Sequence, residues 1–315
     1  MGSGPRTLPG AWPASLTGRR PSRLGPGALP YLLALPIVLY EGLFIVYPIF
    51  QGLAASFQNV TLGAKPATWV GFANYQRMVT DEDFVPVLLT TLGYMVFVVS
   101  LSLLTGLGVS LLLNKSFRGR PVARAVATIP WAFPDVPAVL IFLWMFSPLF
   151  GVANVFARAL TGADQNYNWF QTENLARFVI LLVSTWKAFP FYSLVMLAAL
   201  QGIPNELYEA VRIDGGNLWQ SFRHVTLPAL RPTIGLLALL AAIFSFRSFT
   251  FIYLLTNGGP NGATETLVVH IYNTAFQFYD YSYGATWGVT GFLVALVLAI
   301  VYLSLQRRAE TADGR

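Results

Sequence analysis

The chain has 315 residues, of which 55% are hydrophobic and only 11% carry a charged side chain. Soluble domains average about 25% charged residues, so this composition excludes an ordinary soluble protein and indicates an integral membrane protein. Because the chain has no cysteine, a disulfide framework, a thiolate nucleophile and a cysteine-ligated metal are also excluded.

Apolar runs long enough to cross a membrane recur along the chain. A bilayer core of about 30 Å requires about 20 apolar residues in a helix. The sequence therefore predicts an all-α, polytopic membrane protein with six transmembrane helices. The predicted spans cover residues 29–50, 87–113, 126–146, 178–200, 234–256 and 284–305.

Lysine and arginine are distributed unequally between the two predicted sides of the membrane. If the N-terminus is cytoplasmic, the inner segments hold fourteen of the 20 basic residues, the outer segments hold four, and two lie within spans. Since positive flanks stay in the cytoplasm, both termini are predicted to be cytoplasmic. Proline-rich residues 1–28 are predicted to be a disordered tail, followed by a six-span domain over 29–306 and a cytoplasmic tail over 307–315. The basic residues form no continuous stripe, so nucleic acid is not predicted as a partner.

The three outer segments each contain a stretch with the spacing of a short helix. They read WVGFANYQRM from Trp69, GVANVFARAL from Gly151, and VVHIYNTAFQF over 268–278. Aromatic residues at this level usually anchor a helix in the membrane interface, so we predict surface helices there. His270 stands without a partner in the pattern and is predicted to be a surface or packing residue.

Four ionisable residues fall inside predicted spans: Glu41, Asp135, Lys187 and Arg247. Each is costly in hydrocarbon and is expected to face the bundle interior, a partner chain or a water-filled path. The two acids and two bases either pair and lock helices together or take part directly in a path for a polar solute. Lys187 and Arg247 are alternatively contacts for an anionic substrate.

Prolines interrupt two of the predicted spans. Pro130, Pro134 and Pro137 lie in the third span and Pro190 lies in the fourth. Proline removes a backbone donor and kinks a helix, and such breaks persist in membranes where protein or a cavity satisfies the freed carbonyls. These segments are therefore predicted cavity walls. Their aromatic side chains either stack on a sugar ring or serve ordinary packing; they are Trp131, Trp186, Phe189, Phe191 and Tyr192.

Residues 204–232, here called the coupling segment, form a polar island between two apolar runs. The alternation of Leu207, Ala210, Val211 and Leu218 with charged residues predicts a short amphipathic helix. A folded, exposed segment of this kind indicates a docking surface for a cytoplasmic partner. The chain has neither a G-x-x-x-x-G-K-[ST] phosphate loop nor an H-E-x-x-H motif. If ATP drives transport, its hydrolysis is therefore expected in a separate chain.

The coupling segment closely resembles the EAA loop of permeases in binding-protein-dependent ABC importers. The matching residues are Glu209, Ala210, Asp214, Gly215, Leu227 and Pro228. Together with the runs IPWAFP, WKAFPF and LLTNGGPNGATETL, the chain resembles the carbohydrate-uptake, MalF/UgpA-like permeases from the first span to the last.

This resemblance implies the type I ABC importer permease fold and half of a translocation path for an oligo- or disaccharide, or a related polyol or glycerophosphate solute. It implies a bacterial or archaeal cytoplasmic (inner) membrane, with membrane lipid around the chain. The implied partners are a second homologous permease, a dimer of ATPase subunits that holds ATP and Mg²⁺, and an extracytoplasmic solute-binding protein. The chain itself is then expected to bind no cofactor and no metal, and to have no catalytic residue.

The resemblance also places substrate contacts by position. They fall on Ser184, Trp186, Lys187, Ala188, Phe191, Ala241, Phe244 and Ser245. The chain departs from the family at Lys187 and Arg247, which replace apolar or amide side chains, and at Gly216, which replaces the usual alanine. The first departure bears on the substrate and the second on the turn alone.

Two other classes of protein are weighed against this reading. A secondary transporter driven by protons through Glu41 and Asp135 predicts an inverted internal repeat, which the sequence does not contain. A membrane-embedded enzyme requires paired acids or metal ligands at one depth, and the scattered charges do not supply them.

Overall fold

The computed structural model describes residues 29–60 and 67–312. The predicted disordered tail over 1–28 and the last residues of the C-terminal tail lie outside this range. A boundary between two units of the fold falls between Gln51 and Gly52. Over the described part of the first unit, residues 29–51, the chain is helical and no side chain is buried.

The described chain is helical apart from short connections and one two-stranded pairing, which confirms the predicted all-α class. Helix α1, Leu29–Ser56, contains a π-helical turn at Gly42–Val46. Strands β1 (Gln58–Asn59) and β2 (Thr68–Trp69) pair antiparallel. The other helices are α2 (Ala73–Val79), α3 (Phe84–Asn114), α4 (Arg120–Ala132), α5 (Asp135–Met145), α6 (Val152–Thr161), α7 (Glu173–Gln201), α8 (Asn205–Ile213), α9 (Leu218–Phe246), α10 (Thr250–Thr256), α11 (Leu267–Tyr272) and α12 (Tyr281–Ala312). Two π-helical turns, Phe222–Thr226 and Asn273–Gln277, lie within α9 and directly after α11.

Five helices of the described chain are long and apolar enough to cross a membrane, and α4 with α5 makes a sixth span if the two are taken together. The third predicted span is thus broken rather than merely kinked, with a bend of 96° between α4 and α5. Pro134 explains the break, because a residue before proline is excluded from helical geometry and Phe133 adopts an extended backbone (ψ 135°).

The predicted limits of the fifth span, 234–256, are wrong. Helix α9 begins at Leu218 and ends at Phe246, after which a short non-helical link at Arg247 leads into α10. Asn217 and Gln220 form a reciprocal capping box that starts the helix well before the apolar run. The apolar residues after Phe246 belong to the separate short helix α10.

The core of the second unit is built around α3 and α7, which make the most extensive helix packing in the described chain. A Cβ on Gly106 would lie 3.0 Å from Tyr192 Cβ, so a glycine on α3 is what allows α7 to approach. Helix α9 packs on both of these helices. The apolar centre of the unit includes Val98, Val179 and Ile252.

Candidate coupling segment and transport path

Helix α8 of the coupling segment ends in a complete backbone cap. The Gly216 N–H donates to Val211 O at 2.8 Å and the Gly215 N–H donates to Arg212 O at 3.1 Å, which is the Schellman arrangement. Gly215 has φ +76°, in the left-handed region that favours glycine. The turn therefore follows directly from the Asp-Gly-Gly sequence.

The second glycine of this turn is required by space rather than by φ. A Cβ at Gly216 would lie 2.5 Å from Val211 Cγ1 and 2.8 Å from Val211 O. The turn is therefore tighter than an alanine at position 216 allows.

The turn connects to α9 through side chains that hold the segment together. Asn217 Oδ1 accepts a hydrogen bond from the Gln220 N–H at 2.9 Å, and Gln220 Oε1 accepts one from the Asn217 N–H at 2.7 Å. The Tyr208 and Thr226 hydroxyls lie 3.0 Å apart and tie α8 to α9. Leu227 and Pro228, expected near the end of a loop, lie inside α9.

The side of the coupling segment that faces away from the other helices is exposed and partly apolar. The side chains of Ile213 and Leu218 are 85% and 89% exposed, and Trp219 is 64% exposed. Glu209 and Ala210 are exposed on α8, and Glu209 forms no ion pair with another described residue. An exposed apolar group rimmed by polar residues is typical of an interaction surface.

Lys187 and Asp135 form an ion pair within the predicted membrane region. Lys187 Nζ lies 2.8 Å from Asp135 Oδ1, with side-chain exposures of 19% and 46%. These two of the four ionisable residues are therefore paired with each other in the structure. Arg247 is exposed just after α9 and forms no ion pair with a described residue of its unit. Glu41 is an exposed residue of α1.

Lys187 also satisfies the broken backbone between α4 and α5. Its Nζ donates to Trp131 O at 3.2 Å and to Phe133 O. The helical donor for Phe133 O would be the N–H of residue 137, which is a proline and has none. A single ammonium group therefore compensates the carbonyls that the break leaves free, as well as the carboxylate of Asp135.

The remaining substrate positions carried over from the family divide into two groups. Trp186 packs edge-on against Phe142 at a centroid distance of 5.1 Å, Phe191 faces Trp131 at 6.1 Å, and Phe244 is 52% exposed. The other group is packed or buried and consists of Ser184, Ala188, Ala241 and Ser245. The structure thus places part of the predicted set inside the helix packing.

Tyr94 on α3 is a polar residue that the sequence analysis did not single out. Its hydroxyl lies within hydrogen-bond distance of Ser184 Oγ (3.0 Å) and Ser248 Oγ (3.1 Å), and so links α3, α7 and the residues after α9. Tyr94 also borders a cavity of about 350 Å³ that Arg177 and Thr264 help to line. A tyrosine in an otherwise apolar span needs a partner for its hydroxyl. This requirement is the feature of the sequence that could have identified Tyr94 as a polar contact residue.

His270 lies in the third outer segment, packed against neighbouring side chains. His270 is 7% exposed, its Nδ1 lies 3.1 Å from Glu265 Oε1, and its ring packs on Trp287 at 4.4 Å. The packing alternative predicted for His270 agrees with the structure, but the residue also has a partner, since Glu265 lies in the connection just before α11. The predicted helix is present, and its residues Leu267, Val269 and His270 are buried.

Asp81 is a second organised carboxylate on this side of the chain. Burial alone would raise its pKa. Hydrogen bonds from the Tyr283 hydroxyl and the Asp83 N–H, together with the charges of His270 and Arg77, instead hold the pKa of Asp81 below its ordinary value. The carboxylate therefore stays ionised and ties the start of α3 to α12.

Comparison with known families decides the class of this chain. Residues 99–311 match the profile of the family described as binding-protein-dependent transport system inner membrane component. The chain belongs to this family. The resemblance seen in the sequence is thereby confirmed.

Relatives of this permease cover nearly its whole length. The trehalose/maltose transport system permease protein MalF of Thermococcus litoralis is 34% identical over 89% of this chain and 94% of its own. The sulfoquinovosyl glycerol transport system permease protein SmoG of Agrobacterium fabrum is 35% identical over 91% of this chain and 93% of its own. A solved structure of a bacterial ABC transporter involved in the import of the acidic polysaccharide alginate is 26% identical, with a TM-score of 0.74 over 89% of this chain and 95% of that chain.

These similarities confirm the fold of an ABC importer permease. The family consists of membrane components of transport systems, so the chain is not itself an enzyme. Among the side chains that the structure describes, in residues 29–60 and 67–304, no group of three or more histidine or acidic residues is placed to hold a metal ion.

Proposed function

We propose that this permease forms half of the translocation path of an ATP-driven importer for a sugar, an oligo- or disaccharide or a related polyol or glycerophosphate solute. The observation that carries the proposal is the coupling segment: a folded, exposed surface on a chain without a nucleotide-binding loop. The trehalose/maltose and sulfoquinovosyl glycerol systems named for its relatives support a sugar as the solute.

In this proposal a separate ATPase dimer, which holds ATP and Mg²⁺, grips α8 around Glu209. Closure of the dimer displaces α8, and the Tyr208–Thr226 hydrogen bond passes the displacement to α9. Helix α9 continues without interruption to Phe246, two residues before the Ser248 that bonds to Tyr94. The movement of the ATPase dimer thus reaches the Tyr94 and Ser248 hydroxyls through the single helix α9.

The solute is proposed to meet the accessible residues of the carried-over set first. Trp186, Phe191 and Phe244 offer aromatic faces for a sugar ring, and the Lys187–Asp135 pair offers hydrogen-bond donors and acceptors. Ser184, Ala188, Ala241 and Ser245 become accessible only when α7 and α9 move apart during the transport cycle.

The remaining partners are a second homologous permease and an extracytoplasmic solute-binding protein, the component that gives the family its description. The proposed setting is the cytoplasmic membrane of a bacterium or archaeon, with both termini in the cytoplasm. The chain contributes contacts and movement, and binds neither cofactor nor metal.

Substitution of Glu209 by lysine tests the coupling. In proteoliposomes that contain the assembled complex, Glu209→Lys is expected to lower ATP-dependent uptake at least tenfold while insertion and assembly remain normal. Glu82→Lys makes the same charge change at an exposed position before α3, outside the coupling segment, and is the matched control. Normal uptake by Glu209→Lys would contradict the proposal, as would uptake that stops when the proton gradient is collapsed at constant ATP.

A further inference from the structure

A polar cavity of about 510 Å³ lies where α3 and α7 end and the coupling segment begins. Its polar walls are formed by Asn114, Arg120, Arg124, Gln201, Asn205 and Tyr208. The lining includes two cationic side chains and no acidic one. The transport path described above does not involve this cavity.

The two arginines of the cavity converge on one neutral atom. With its amide oxygen facing them, Gln201 accepts hydrogen bonds from Arg124 Nη2 at 2.7 Å and from Arg120 Nη2 at 3.2 Å. Two positive charges are therefore held close together without a negative charge between them. Like charges at this distance repel, and an anion bound in the cavity would relieve the repulsion.

One hydrogen-bond donor of these two arginines is left without an acceptor. Arg120 Nε donates to Leu113 O at 2.7 Å and caps the end of α3. Arg124 Nε is buried and has no hydrogen-bond partner among the described residues. A buried donor without an acceptor is costly, and a bound anion that accepts a hydrogen bond from Arg124 Nε would remove this cost.

We propose that this cavity binds the phosphate group of an anionic lipid headgroup. Guanidinium groups recognise phosphate through charge-assisted hydrogen bonds. Asn114 and Gln201 are the last residues of two membrane-spanning helices, which places the cavity at the level of lipid headgroups. Basic pockets between spans on the cytoplasmic side are known to bind such headgroups.

The bound headgroup also contacts the coupling segment. Asn205 and Tyr208 belong to α8, and Tyr208 carries the hydrogen bond to Thr226. An anionic lipid in the cavity therefore stabilises α8 against the ends of α3 and α7. Lipid composition becomes a determinant of how firmly the coupling segment is held.

Native mass spectrometry of the full-length chain with its assembled partners, titrated with phosphatidylglycerol or phosphatidylcholine, tests the proposal. Wild-type protein is expected to retain phosphatidylglycerol selectively, and Arg124→Gln to bind it at least tenfold more weakly. Arg118→Gln removes an equal charge from an exposed position just before α4 and is the matched control. Arg124→Gln gives up the hydrogen bond from Nη2 to Gln201 but keeps an amide donor and also removes the unpaired Nε, so the variant is expected to fold.

Three results would overturn the lipid assignment. Equal weakening by Arg118→Gln and Arg124→Gln would mean diffuse attraction rather than a site. Binding of inorganic phosphate with no selectivity for phosphatidylglycerol would identify a free anion as the ligand. A crosslink from position 124 to an acidic residue of a partner protein, with lipid excluded from the complex, would assign the cavity to a protein interface.

Discussion

Lys187 on α7 bonds through its ammonium group to Asp135, the first residue of α5, at a distance of 2.8 Å. The same group donates to carbonyls at the end of α4 and in the link that follows. One side chain thus fastens both halves of a broken span to the helix that carries most of the proposed solute contacts. The charged groups of this membrane region therefore bond both to each other and to backbone carbonyls.

Replacement of Lys187 by methionine is predicted to destabilise the protein by about 2 kcal/mol, since it leaves a carboxylate and freed carbonyls without a donor. Thermal unfolding in detergent measures the effect. Glu173→Gln, which breaks the exposed pair with Arg177, is the control and is expected to cost about 0.5 kcal/mol or less. The double variant Lys187→Met/Asp135→Asn is expected to recover part of the loss, and strict additivity would contradict the pairing.

Tyr94→Phe is predicted to lower the free energy of unfolding by about 1 kcal/mol, because it removes the hydroxyl that links Ser184 and Ser248. Uptake is expected to fall with it, since the link joins α3 to the end of α9. Tyr192→Phe is the matched control: Tyr192 is also buried, and its hydroxyl has no hydrogen bond to another described residue. Equal effects of the two substitutions would show that the link is unimportant.

Gly215→Ala is predicted to loosen α8, because φ +76° strains any residue with a Cβ by about 1 kcal/mol. Gly216→Ala is predicted to do the same through its contact with Val211. Hydrogen exchange of the amides in residues 205–216 measures the change, which is expected to be about tenfold faster exchange. Gly108→Ala, at a helical glycine with open space around it, serves as the control and is expected to leave exchange in α8 unchanged.

Asp81 is predicted to contribute stability that depends on pH. Its folded pKa lies below the ordinary value of 3.8. The contribution is therefore fully present above pH 3.8 and is lost as the pH falls through the lower folded value. The difference in thermal stability between wild type and Asp81→Asn should be constant near neutrality and narrow in acid. Asp83→Asn is the control and is expected to show no comparable change with pH. If the difference in thermal stability between wild type and Asp81→Asn grew in acid, the assignment would be refuted.

Most of the spans follow from apolar length alone, but this criterion fails where helix ends are set by other chemistry. The capping residues Asn217 and Gln220 start α9 about four turns before its apolar run. Helix α9 ends just before Arg247, although the apolar residues that follow look like a continuation of the same span in the sequence. Local capping, and not hydrophobicity, therefore decides these boundaries.

The candidate site was predictable in kind but not in pairing. The cost of charge in hydrocarbon identifies Lys187 and Asp135 as residues that need partners, yet which residue meets which depends on the rotation of each helix. Tyr94 shows the same limit more strongly, since its two partners lie 90 and 154 residues away in sequence. Such contacts form only once α3, α7 and the connection after α9 have packed together.

The backbone cap at Gly215 and Gly216 has a consequence for any protein that docks on the coupling segment. Because the chain's own hydrogen bonds already fix the turn, the docking surface is preorganised and association carries little cost in ordering it. When a docked protein moves α8, the movement is then transmitted to α9 and is not lost in deformation of the turn. The two glycines thus make α8 and the start of α9 move as one rigid unit.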